Sequence, residues 1–168
     1  MNRLKKVLLY SILAVFTLIL TGCGAKVDTT LSVDTDFKGQ RITTCTLSSE
    51  DVNEYITGGL PALEATIKKY IPPSLSYTLT SNETSSILTF TMDFNGIDDY
   101  RTKINSLFSA NPENSFNPEI KHEYYDSPFY FSIYFEENYN SIDTLAWFKY
   151  GLRTDGIITS NSESDWFE

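Results

Sequence analysis

The sequence predicts an α+β fold of two layers: an antiparallel sheet of about six strands with three helices on one face, built from three strand-strand-helix units. Three observations predict it. Apolar side chains alternate with a two-residue period in three pairs of segments, and each pair is joined by a turn signal. After each pair stands an oxygen-bearing residue with an acid three positions later, which is a helix-start signal. Beyond that signal the apolar spacing changes to the helical period.

In the first unit Val27, Thr29, Leu31 and Val33 alternate with Lys26, Asp28, Thr30, Ser32 and Asp34. Asp36 to Gln40, containing Gly39, reads as a turn into a second strand from Arg41 to Leu47. Ser48 with Asp51 then caps a helix. Gly58-Gly59 breaks it, and it restarts with Pro61 tolerated in the new first turn. Leu60, Leu63, Ile67, Tyr70 and Ile71 line one face of this second stretch, which ends at Pro72-Pro73.

The second unit alternates through Leu75, Tyr77 and Leu79, turns at Ser81-Asn82-Glu83, and continues through Leu88, Phe90, Met92 and Phe94. Asn95 with Asp98 is its cap signal, and Ile97, Tyr100, Ile104, Leu107 and Phe108 line the helix that follows. The third unit begins with Ile120, His122 and Tyr124, turns at Asp126-Ser127-Pro128, and continues through Phe129, Phe131, Ile133 and Phe135. Asn140 with Asp143 opens a helix from about Ile142 to Leu152, through Leu145 and Phe148, that stops at Asp155-Gly156. A short strand at Ile157-Ile158-Thr159 and a polar tail over 160–168, containing Trp166-Phe167, complete the chain. Capping accounts for the three aspartates without any ligand, because an acid near the positive end of a helix dipole is favourable in itself.

The length of 168 residues suits one domain, placed over 23–159. Ahead of it, Arg3, Lys5 and Lys6 precede an apolar run from Val7 to Leu20. That run has the proportions of a signal peptide and is short for a permanent membrane span. It ends in Leu20-Thr21-Gly22-Cys23, an aliphatic residue, a small polar one, glycine and cysteine, which resembles the lipobox of bacterial lipoproteins.

The resemblance implies removal of residues 1–22, a diacylglycerol on the Cys23 sulfur, an amino terminus open to acylation, and location at the outer face of a cell membrane. Two acyl chains anchor a protein stably where one holds it only marginally. Gly24, in the place where aspartate signals inner-membrane retention in Gram-negative cells, carries no such signal. A lipidated Cys23 also leaves Cys45 without a disulfide partner in the chain. A small buried apolar role is then expected for Cys45, with stability resting on packing.

Loss of the three leader cations takes the formal charge from −9 to −12. Such a surface repels phosphate backbones and anionic headgroups, so no nucleic-acid partner is expected. A cationic partner fits better.

The sequence offers little for catalysis. The single histidine excludes two-histidine zinc sites, and Asp126 stands where His122-Glu123-Tyr124-Tyr125-Asp126 would need a second one. No Gly-x-Ser-x-Gly turn exposes a nucleophile. Of the paired acids, Glu136-Glu137 point apart on a strand, and Asp98 in Asp98-Asp99 is taken for capping. Asp34-Thr35-Asp36 is too short for a calcium loop. Neither metal nor cofactor is expected.

The outer sheet face carries Thr30, Ser32, Thr78, Thr80, Thr89, Thr91, Tyr130, Ser132 and Tyr134. Tyr130, Tyr134, Thr78, Thr89 and Thr91 form the candidate binding face, since tyrosine offers flat apolar area with a hydroxyl tip. The function expected is a lipid-anchored, non-catalytic module that holds an envelope protein, peptide or glycan. The alternatives are a small hydrolase using carboxylates near Glu136 or His122, and an accessory subunit of a transporter or envelope complex.

Overall fold

A computed structural model describes residues 25–129 and 131–158. The leader, Cys23, Tyr130, Thr159 and the tail 160–168 lie outside the described residues. Strand β1 (Lys26–Val33) leads to β2 (Lys38–Ser48), helix α1 (Ser49–Tyr55) and helix α2 (Gly59–Tyr70). Then come β3 (Ser76–Ser81), β4 (Ser85–Asn95), α3 (Ile97–Ser109), β5 (Ile120–Asp126) and β6 (Phe131–Glu137). A 3-10 turn, Ser141–Leu145, runs into α4 (Ala146–Thr154). No described helix is long and apolar enough to cross a membrane.

The class is α+β with antiparallel sheet, as the sequence predicts, and all three hairpins form. They do not join into one six-stranded sheet. The first two make a four-stranded sheet in the order β1-β2-β4-β3, with β2 against β4 across the middle, while β5 and β6 pair only with each other. The physical reason lies at the base of the third hairpin. Glu137, at the end of β6, pairs with Arg41, which projects from β2 on the buried, helix-covered side of the large sheet. Phe135 and His122 stack on Phe37, with ring centroids 5.2 and 4.8 Å apart. The hairpin is therefore drawn into the helix layer and takes no place at a sheet edge.

Among the described residues, four α-helices and the 3-10 turn stand where three helices are expected. The break at Gly58-Gly59 is real, with both glycines at positive φ (87° and 62°), a conformation costly for any residue with a Cβ. Ser48 caps α1 as expected, its Oγ accepting from the Asp51 N–H at 2.9 Å. Asn140 and Asp143 form a reciprocal capping box, although the turn they open is 3-10.

The second cap is displaced. Gly96, at φ 102°, is the N-cap of α3, and Asp99, not Asp98, accepts from the Asn95 N–H at 2.8 Å. Asp98 instead pairs with Arg101. The positive φ at Gly96 turns the chain one residue later than the sequence pattern suggests. At 157–158 no strand forms: the Ile157 carbonyl accepts from the Thr57 N–H, and Ile158 is buried in the core.

Two apolar clusters fill the space beneath the sheet. Cys45, Leu47, Leu88 and Phe90 meet Leu63 and Ile67 of α2 and Trp147, Phe148 and Leu152 of α4. Toward the opposite end, Phe37, Met92 and Phe94 meet Tyr100, Ile104, Leu107 and Phe108 of α3, with Ile120 and Phe135 of the hairpin against them. Burying these large side chains supplies the main drive for folding, at roughly 1.5–3 kcal/mol each.

Candidate functional site

Register places the expected binding residues on two surfaces. Thr78, Thr89 and Thr44 stand side by side across β3, β4 and β2, and Thr91 lies between Ser76 and Ile42 in the next row. This is the uncovered face of the large sheet, where residues two apart on each strand point to the same side. Tyr134 belongs to β6, opposite Glu123, on the other sheet. One continuous threonine–tyrosine face therefore does not exist among the described residues, and Tyr130 lies outside them.

The Tyr134 hydroxyl donates to Glu136, which Lys121 also contacts at 3.2 Å. The Tyr134 hydrogen bond, with Lys121 adding to it, holds the Glu136 carboxyl below its ordinary range. Glu136 and Glu137 face opposite sides of β6, as neighbours on a strand must, and do not converge.

The third hairpin carries the largest exposed aromatic surface. Tyr124, Tyr125 and Tyr134 are 52%, 55% and 50% exposed, and Phe129 in the turn is 94% exposed. His122 lies half-buried against the Phe37 ring, so it is an edge-of-core histidine. Beside it a groove of about 340 Å³ opens between the turn 34–37, the start of α3 and the hairpin, lined by Thr35, Asp36, Phe37, Ile97, His122 and Tyr124. Phe37 (φ 58°) takes the left-handed conformation that sends its ring down into the core. Asp34 supports the turn through one carboxylate oxygen, which accepts from the N–H groups of Asp36 and Lys38 at 2.9 and 2.8 Å.

The polar group the sequence did not reveal is internal. Arg41 Nη1 donates to Tyr100 Oη at 2.7 Å and to both oxygens of Glu137 at 3.1 and 3.0 Å. The Tyr100 and Tyr139 hydroxyls donate to the same Glu137 oxygen. Burial opposes the charge on Arg41, but Tyr100 and Glu137 overcome it and hold its pKa above the ordinary value. Burial, reinforced by the nearby carboxylate, raises both tyrosine hydroxyls. A void of about 10 Å³ beside Arg41 has room for about one water. This cluster fastens the hairpin to the sheet and offers no opening for a substrate. The signal in the sequence that pointed to it was an arginine at the head of the strand face that continues through Thr43, Cys45 and Leu47.

Cys45 is buried and free, as the sequence suggests, and burial pushes its thiol up to about 12 from 9.0. A raised thiol pKa stabilises the fold fully below the unfolded value and loses that contribution as pH climbs from about 9 toward 12. Ellman's reagent at pH 8 is accordingly expected to leave Cys45 unmodified in the native chain and to label it promptly in concentrated urea. Equal labelling rates in the two states would refute this placement.

Among the described residues no group of three His, Cys, Asp or Glu side chains is placed to hold a metal ion. No family model, curated protein or solved structure matches this chain.

Proposed function

We propose that the chain is a membrane-anchored, extracytoplasmic lipoprotein that acts as a non-catalytic interaction module and presents the β5–β6 hairpin to a protein partner. The observation that carries this reading is the exposure of four aromatic side chains, Tyr124, Tyr125, Phe129 and Tyr134, on one short hairpin. Exposed aromatic clusters of this kind cost solubility, and they are typical of recognition surfaces, where stiff flat side chains lose little entropy on contact.

Chain geometry supports the tethered arrangement. Lys26 opens β1 three residues after Cys23, so an anchor there lies within about 11 Å of the sheet. The same end holds the last residues of β2 and the first of β4. The hairpin starts level with Arg41 and runs past Phe37 in the turn 34–37, at the other end of β1, which is about 26 Å long. In this reading the aromatic surface faces away from the membrane.

Mass spectrometry of the native protein tests the anchor. A diacylglyceryl thioether at Cys23 with residues 1–22 removed is expected; an unmodified thiol with the leader attached would overturn the reading.

A further inference from the structure

We propose that the groove beside the hairpin binds a basic peptide segment, with a lysine or arginine side chain lying against Ile97 and Tyr124 and its charge directed to Asp36. The proposal deepens the interaction-module reading and rests on it. The half-buried Ile97 supplies apolar area of the kind that receives the methylene stem of a long cationic side chain, while Phe37 is buried beneath the groove. Tyr124 supplies an aromatic ring half open to solvent, against which a guanidinium or ammonium is attracted. Thr35 and Asp36 bring polar groups to the same groove.

Charge selects this occupant over others. Asp34, Asp36, Asp98, Glu123 and Asp126 are exposed on the turn 34–37, the start of α3 and the outer part of the hairpin. The nearby cations Lys38, Arg101 and Lys121 face Asp36, Asp98 and Glu136 in exposed pairs of little strength. An incoming cation therefore reaches Asp36 by displacing the Lys38 ammonium. An anionic lipid or nucleic acid is repelled from such a surface, and so is a second copy of a chain whose formal charge is −9. A neutral glycan would gain no long-range attraction from the carboxylates. A cationic peptide is attracted at a distance and held at contact.

The experiment is fluorescence anisotropy with the full chain in nonionic detergent micelles. The probe is a labelled hexapeptide of alternating arginine and glycine, and its control has citrulline in place of arginine. The arginine peptide is expected to bind at least about tenfold more tightly, the loss of a charge-assisted contact being worth about that factor. Asp36→Asn and Tyr124→Ser are each expected to weaken binding about three- to fivefold. Glu54→Gln, an exposed acid on α1, removes the same charge elsewhere and is expected to change affinity less than about twofold.

Equal affinity for the two peptides would overturn the proposal. So would equal weakening by Asp36→Asn and Glu54→Gln, which would reveal attraction to net charge alone. Binding in micelles does not depend on orientation at a membrane. An unlipidated Cys23 would therefore remove the tether and leave the groove standing, whereas failure of peptide binding with Cys23 lipidated would remove only the groove.

Discussion

Glu137→Ala is expected to destabilise the fold by about 3 kcal/mol, lowering the thermal midpoint by roughly 10 °C. The carboxylate is the charge partner of Arg41, whose side chain is only 5% exposed, and it also receives the hydroxyls of Tyr100 and Tyr139. Removing it strands a guanidinium that cannot shed its proton and leaves the buried Tyr100 hydroxyl and the half-buried Tyr139 hydroxyl without their acceptor. Arg41 Nε has no hydrogen-bond partner among the described residues, so the group has little reserve.

Urea unfolding measures the cost. Glu137→Gln, which keeps an acceptor and loses the charge, is expected to lie between wild type and Glu137→Ala. Tyr100→Phe, which deletes one hydroxyl and leaves the ion pair, should cost about 1 kcal/mol. Because the pair is shielded from solvent, the Glu137→Ala penalty should change little between low and high salt, unlike that of an exposed pair such as Lys26–Asp28. A Glu137→Ala protein as stable as wild type would show that the hairpin is held by its aromatic contacts alone.

Trp147→Ala is expected to be comparably severe, about 3–5 kcal/mol. The indole is fully buried and meets Phe90 edge-on at 5.4 Å between ring centroids and Phe148 at 5.7 Å. Its truncation would open a large void where α4 meets the sheet. Trp147→Phe should be much milder than its loss of volume suggests. The indole Nε1–H is buried with no partner among the described residues, and phenylalanine removes that donor along with part of the ring. The two substitutions, compared by calorimetry, separate the packing contribution from the polar one. Should Trp147→Phe prove as damaging as Trp147→Ala, the indole nitrogen must have a partner in the folded protein.

Much of the local structure was legible in the residues. Alternation set each hairpin and, in the first two, its buried side, because on a strand a shift of one residue would turn every apolar side chain to water. In the third, Tyr124 and Phe129 of the expected apolar face are exposed, and Phe129 lies in the turn. The caps at Ser48 and Asn140 were readable, since the side-chain oxygen and the N–H groups it serves lie within three residues of each other. The cap at Asn95 was misplaced by one residue because the positive φ of Gly96 is a backbone choice that the side-chain pattern does not encode. The candidate site was less legible. Tyr134 was correctly placed on its strand, but its separation from Thr78, Thr89 and Thr91 depended on the strand order. The groove depended on three segments, the turn 34–37, α3 and β5, that approach one another only in the fold.

The sequence by itself determined the class, the three hairpins, the helical faces, the broken first helix and the burial of Cys45. All of these follow from interactions between residues near in the chain or from the period of one segment. Only the tertiary structure decided that the third hairpin leaves the sheet for the helix layer, and that Arg41 meets Glu137 across 96 positions. Those outcomes are set by the cost of burying a charge without its partner and by the stacking of Phe37 with His122 and Phe135, and neither is expressed in any local pattern.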